Sequence, residues 1–206
     1  MNVKDDFAHR AADWDAPAKI KMTEIFVAEV FKHISPEETW KGLEIGAGTG
    51  LVGLQILPFI DSIVFEDTSE AMLEVLKSKI KDDEKAEIVH GEIFEFQNKD
   101  IDFAFSCMAF HHIPEIEKAL AHLHNILKPG AFIAIGDLMP ENGSFHSFEP
   151  IPHKGFDTDL LSRKFEEAGF EVHVCKKYDT LVRERTPGVF SNYDQFILIA
   201  KNNGSL

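Results

Sequence analysis

Between residues 43 and 53 the chain reads Leu-Glu-Ile-Gly-Ala-Gly-Thr-Gly-Leu-Val-Gly. Glycine has no Cβ, so a loop of alternating glycines lets backbone N–H groups approach a bound molecule closely. Two frames overlap here: Gly46-x-Gly48-x-Gly50, and Gly48-x-Gly50-x-x-Gly53, the spacing of a dinucleotide fingerprint. In that fingerprint the first glycine follows its strand directly. Gly46 follows Ile45 at once, so the loop is 46–50 and Gly53 belongs to the helix beyond. About 20 residues on, Glu66 and Asp67 offer carboxylates of the kind that accept two ribose hydroxyls. Glu44, just ahead of the loop, would oppose a pyrophosphate and is compatible with a cation. Further along stand His111 and His112. An imidazole titrates near neutrality and can take a proton during a reaction, or it can simply pack and hydrogen-bond ahead of Pro114. His122 and His124 add no metal site, because residues two apart on a helix do not share a face.

The elements that would position these groups alternate. Residues 18–34 carry Ile20, Ile25, Phe26, Val30, Phe31 and Ile34 at helical spacing. A strand over 41–45 enters the glycine loop, and a helix over 50–57 ends by Pro58. A strand over 62–66 precedes a helix capped by Ser69, which turns Met72, Val75, Leu76 and Ile80 inward. Strands over 86–89 and 101–106 follow. Pro114 opens a helix whose face is Ile116, Leu120, Leu123 and Leu127, and Lys128-Pro129-Gly130 stops it. A buried strand spans 131–136, and 138–156 holds no clear element. A helix over 159–168 ends at Gly169, and strands over 172–176 and 196–200 close the chain with no helix between them. The pattern is α/β: a mostly parallel seven-stranded sheet with helices on both faces, ending in an antiparallel hairpin. One domain over 1–206 is expected, with 1–35 as a helical cap and 138–156 as a loop beside the substrate.

Composition narrows the partners. Of the 206 residues, 44% are hydrophobic, as in a globular chain. The balance of 21 basic against 35 acidic residues, a net of −14, repels phosphate backbones and argues against nucleic acid. No apolar run reaches the roughly 20 residues that cross a bilayer, and the acidic start lacks a signal peptide's apolar core, so a cytoplasmic location is expected. Two cysteines, Cys107 and Cys175, suggest neither a disulfide framework nor a cysteine metal site. The charged run 81–85 reads as a solvated loop.

Leu43–Gly50, Asp67-Thr68-Ser69-Glu70-Ala71-Met72-Leu73, Gly91-Glu92-Ile93, Ser106-Cys107-Met108-Ala109-Phe110-His111-His112-Ile113 and Leu127–Phe132 stand in one order over about residues 40–137. In these segments, and in Phe165–Val172, the chain resembles class I S-adenosylmethionine-dependent methyltransferases. That resemblance implies a three-layer Rossmann-like methyltransferase fold with S-adenosylmethionine as cofactor and S-adenosylhomocysteine as product. It implies cofactor contacts at Glu44, Gly46, Ala47, Gly48, Gly50, Asp67, Thr68, Met72, Gly91, Glu92, Ile93, Cys107, Met108 and Ala109. Asp67 would take the ribose hydroxyls, Met72 would pack under the adenine, and Glu92 would meet the adenine amino group.

His111 and His112 are the candidate bases, and no metal is expected. Trp14 reads either as a core anchor or as a cover over cofactor and substrate. A long loop in a compact domain is usually functional. Its Phe145, His146, Phe148 and His153, with Phe110, either line a pocket for an apolar or aromatic acceptor or bury the loop itself. The expected activity is methyl transfer to a small-molecule O, N, S or C acceptor by a monomer or homodimer. Three other readings stand beside it: a protein or RNA methyltransferase, a non-catalytic methyltransferase-like subunit, and a nicotinamide-dependent oxidoreductase using the Gly48 frame.

Overall fold

The structure, a computed structural model, describes residues 8–80 and 85–204. Most of the charged run 81–85 therefore lies outside the described residues. The described residues begin with a 3-10 turn, Ala8–Asp13, and helix α1, Pro17–Val30. Strands β1 (Lys41–Ile45), β2 (Ser62–Asp67), β3 (Ala86–His90), β4 (Ile101–Cys107) and β5 (Leu127–Leu138) alternate with α2 (Gly53–Ile56), α3 (Glu70–Ile80) and α4 (Ile116–Ile126). Helix α5 (Thr158–Glu167), β6 (Phe170–Thr186) and β7 (Val189–Asn202) complete the order.

The seven strands lie in the order β3-β2-β1-β4-β5-β7-β6. All pairs are parallel up to β5, and β7 runs antiparallel to both β5 and β6. Chain order reverses direction between β1 and β4. Such a switch opens a crevice at the carboxyl ends of the strands.

Central strands covered on both faces are apolar on both. Phe103 and Phe105 of β4 pack with Phe65 and Phe26 on one side, whereas Ala104 packs with Leu43, Leu120 and Phe165 on the other. Each fully buried side chain of this size stabilises the fold by about 1.5–3 kcal/mol. Ile20 departs from the expected stripe of α1: it is 38% exposed, while Phe26 and Val30 are fully buried.

Several boundaries move for local reasons. The helix expected over 50–57 begins only at Gly53, because the preceding glycines occupy left-handed φ values that no α-helix shares. Strand β5 starts at Leu127 rather than 131, since Leu127 already pairs with Ile101. The last two strands far exceed 172–176 and 196–200. Beyond Leu138↔Gln195 they leave β5 behind and pair only with each other, so no buried face marks the extension in the sequence. This overhanging hairpin, with register shifts at Lys177/Asp179 and Glu184/Thr186, reaches over the crevice. Among the described residues, no helix is long and apolar enough to cross a membrane.

Candidate active site

The glycine loop leaves β1 at the switch point. Gly46, Gly48 and Gly50 have φ of +66°, +54° and +78°, which an L side chain rarely adopts. These three angles select the 46–50 frame over the 48–53 one. A Cβ on Gly46 would stand 2.4 Å from the Cβ of Ala109, so the loop and the end of β4 close directly on each other. Gly53 opens α2, and a Cβ there would strike Glu44 and Phe65, so this glycine lets the helix lie close on the sheet.

Acids hold the loop in place. Asp67 accepts the Gly48 N–H through Oδ2 at 2.6 Å and the Ser69 N–H through Oδ1 at 2.7 Å. Glu66 Oε2 faces the Gly46 N–H at 3.4 Å, and its carbonyl accepts the Ala47 N–H at 2.8 Å. Glu44 Oε2 accepts the Gly53 N–H at 3.0 Å, so it also caps α2. Burial lifts the Glu44 carboxyl well above the usual carboxylate range. Burial, then the charge of Asp67, pushes Glu66 up to about 8. Hydroxyl donors and an ammonium group would stabilise these desolvated carboxyls, whereas a phosphate would raise the repulsion further. The residues therefore fit a phosphate-free adenosine ligand with an amino acid arm.

The loop opens into a cleft of about 770 Å³. Glu44, Gly46, Ala47, Gly48, Asp67, Thr68, Met72, Glu92, Ile93, Cys107, Met108 and Ala109 all line it. Met108 holds a φ of +58°, a strained conformation of the kind that collects at functional sites. Its Sδ accepts from Gln195 Nε2 at 3.0 Å and its N–H donates to Gly136 O at 2.8 Å. Two expected cofactor contacts lie off the cleft wall. Gly50 packs against α3, where a Cβ would come within 2.5 Å of Leu76 Cδ1. Gly91 donates its N–H to Asp67 O at 3.1 Å and so ties the ends of β2 and β3 together.

On the opposite wall, the 3-10 turn Phe110–His112 presents two imidazoles. Asp137, fully buried on β5, accepts His111 Nδ1–H at 2.6 Å and the His111 backbone N–H at 3.0 Å. That bond assigns the proton of His111 to Nδ1 and leaves the lone pair on Nε2. His146, from the 138–156 loop, places its Nε2 3.2 Å from that lone pair. The His112 ring lies 4.2 Å from that of His111. Burial, then the neighbouring His111 and His146, lowers His112 to about 3. Burial, then His111, lowers His146 to about 4. Ligand nitrogens of the three histidines lie within 4.8 Å of one another, a grouping that could hold a metal ion and that the expectation of no metal did not foresee.

Two expected substrate residues are placed elsewhere. Phe110 is fully buried, with ring centroids 6.0 Å from Phe156 and 6.4 Å from Phe165, because the turn points it under the sheet. His153 gives its ring to Ile113 O at 2.9 Å and its N–H to His111 O at 3.3 Å, fastening the loop to the histidine turn. Trp14 does line the cleft, with Lys19 Nζ 2.7 Å from its ring centroid and its Nε1 3.7 Å from where a Gly48 Cβ would stand. The sequence reading missed Lys19, Arg183 and Arg185 on the same wall. No local signal marks them, since the overhang of the hairpin is what brings two of them there.

A parallel sheet with a terminal antiparallel hairpin, a glycine loop at its switch point and acids at the end of β2 define a Rossmann-like methyltransferase fold. Residues 43–135 match a family model described as a methyltransferase domain. The chain's sequence is 34% identical over 134 residues to a malonyl-[acyl-carrier protein] O-methyltransferase of Ilyobacter polytropus, covering 64% of this chain and 51% of that protein. The chain spans about half the length of the curated relatives it matches. Its fold is similar to a chain of the Haloferax volcanii complex that contains the Trm112 methyltransferase activator (TM-score 0.80, 16% identity, 97% and 99% coverage). It is also similar to a SAM-dependent methyltransferase of Aquifex aeolicus (TM-score 0.69, 21% identity, 94% and 97% coverage).

Proposed function

We propose that the chain transfers the methyl group of S-adenosylmethionine to a small-molecule O, N, S or C acceptor, with His111 as the base where the acceptor must lose a proton. The observation that carries this reading is the Asp137–His111 pair, which opens onto the same cleft as the glycine loop. When bound, the cofactor supplies an activated methyl on a positively charged sulfur. The chain's own groups then bind, align and exclude water. The loop 46–50 with Glu66 and Asp67 holds the adenosine and amino acid ends, Met72 and Ile93 frame the base, and Cys107, Met108 and Ala109 fix the methionine arm.

Asp137 keeps the lone pair of His111 on Nε2 and stabilises the imidazolium formed on proton uptake. The acceptor's proton-bearing group displaces His146 from that nitrogen. His112, whose hold on a proton is weakened to about 3, is the poorer base. A monomer or homodimer acting in the cytoplasm fits two free thiols, Cys107 and Cys175, which a reducing compartment preserves.

The test is incubation with methyl-labelled S-adenosylmethionine and a cell extract split into metabolites, protein and RNA. Label in the metabolite fraction is expected, and label confined to protein or RNA overturns the small-molecule reading. His111→Gln should lower kcat by about 10²–10⁴-fold while S-adenosylhomocysteine affinity holds.

A further inference from the structure

The chain carries 35 acidic residues against 21 basic ones, and its lysines are mostly paired where acids are near. Lys32 and Lys176 meet Glu29, Lys128 meets Asp102 and Lys177 meets Asp194. The part of the cleft lining contributed by α1 and the β6–β7 hairpin breaks this pattern. Lys19, Arg183 and Arg185 gather there, and among the described residues none has a carboxylate within ion-pair distance. Asp15, which attracts Lys19, is already engaged by Lys79 at 2.6 Å and by the Thr49 hydroxyl at 2.5 Å.

The cations repel one another. Burial, then Arg10 and Arg183, lowers Lys19 to about 8, and burial, then Arg185, lowers Arg183 below the usual guanidinium range. A cluster of like charges with no ion-paired carboxylate among the described residues is unfavourable unless an anion joins it.

Its geometry is built. Arg183 Nη1 donates to Phe145 O at 3.0 Å, and the guanidinium stacks 4.4 Å above the Phe145 ring. Arg185 donates through Nη1 to the same carbonyl at 3.5 Å and through Nη2 to Ser147 Oγ at 3.1 Å. Each guanidinium has five N–H donors, so most stay available to a ligand. Phe145 and Ser147 flank His146, which faces the proposed base, and the charge of Arg183 reaches His146. The cationic groups thus stand beside the place where the acceptor meets His111.

Resting on the methyltransfer reading, we infer that the acceptor is a small anion, carrying a carboxylate or phosphate group that Arg183 and Arg185 hold by charge-assisted hydrogen bonds. The hairpin tip then acts as a specificity element: it orients the charged end of the acceptor so that its reacting end lies towards His111. Carboxylate and phosphate share this chemistry, since both match the planar donor fork of arginine.

Three measurements test it. Labelled product from the metabolite fraction is passed over an anion exchanger at neutral pH. Retention is expected, and label wholly in the unretained fraction overturns the inference while leaving methyl transfer intact. Arg183→Gln/Arg185→Gln should raise KM for the purified acceptor by about tenfold or more, as losing charged hydrogen bonds implies, with S-adenosylhomocysteine affinity unchanged. Loss of S-adenosylhomocysteine affinity instead would assign the arginines to the cofactor's own carboxylate and overturn the inference. A third readout needs no turnover. Inorganic pyrophosphate and citrate are titrated calorimetrically into protein saturated with S-adenosylhomocysteine. Saturable binding that the double variant abolishes supports the anion site; absence of binding by both probes overturns it, even where no labelled product forms and the activity reading fails.

Discussion

The glycine-loop wall of the cleft is held by backbone groups, and the histidine wall by side chains from distant segments. On the first, Gly48 and Gly46 donate to Asp67 and Glu66 across 19 and 20 residues, and Gly53 donates to Glu44 across 9. On the second, His111 meets Asp137 across 26 residues, His146 across 35, and Arg183 reaches Phe145 across 38. The first wall belongs to consecutive strand–helix units, so its register follows from the sheet. The second exists only where an irregular loop and an overhanging hairpin lean on each other, joined by the Ser144–Tyr193 hydroxyl bond of 2.8 Å and the Phe145–Tyr193 ring contact. The two walls also carry opposite electrostatic strain: desolvated carboxyls on one, desolvated imidazoles and cations on the other.

The sharpest way to separate wall from core is Phe110→Ala. It should cost about 3–5 kcal/mol of stability by chemical denaturation, with KM for the acceptor nearly unchanged. A large KM change with native stability would return Phe110 to the cleft. Gly46→Ala combines a disfavoured φ with a clash at Ala109, and should cost about 2–5 kcal/mol, read as a lower Tm and a smaller stabilisation by S-adenosylhomocysteine. His146→Ala leaves Asp137–His111 intact. It should change kcat by less than about tenfold, well below the His111→Gln effect, if His111 is the base as proposed. A larger loss would move the proton-accepting role to His146.

The pH response has opposite signs on the two walls. Glu66 has its folded value raised to about 8 from 4.5, so its contribution is full at low pH and is lost as pH rises through about 8. His112 and His146, lowered from 6.5 to about 3 and about 4, contribute stability above 6.5 that is lost as pH falls towards those values. Denaturation across pH should therefore show a loss of stability on each side. Glu66→Gln should reduce the alkaline loss, with the buried Glu44 still contributing to it, and His146→Gln should reduce the acid side alone. The smallest effect is proton release: S-adenosylhomocysteine binding near neutral pH should free a fraction of a proton from Glu66. Calorimetry in buffers of differing ionisation enthalpy reads this, and Glu66→Gln should abolish it.

The fold was legible wherever a segment states its own environment. Apolar runs on β1, β4 and β5 announce strands buried on both faces, and Gly46 directly after Ile45 announces the loop frame. Placements differ from the sequence expectation where a neighbour distant in sequence decides. Phe110 and Gly50 stand within motifs most of whose members line the cleft, yet each turns away because α5 or α3 offers it an apolar partner. Glu44 was read as a cofactor contact and is also the cap of α2, since β1 and α2 lie close enough for one oxygen to meet the Gly53 N–H.

By itself, then, the sequence determined the alternating elements, the glycine loop and the acids that follow it, because local periodicity and φ requirements are properties of short segments. Only the tertiary structure decided which histidine stands on a carboxylate, that His146 joins it, and that two arginines from the last hairpin line the same cleft. Those groups meet through strand order and overhang, and no short segment encodes the distance between residues 111, 137, 146 and 183.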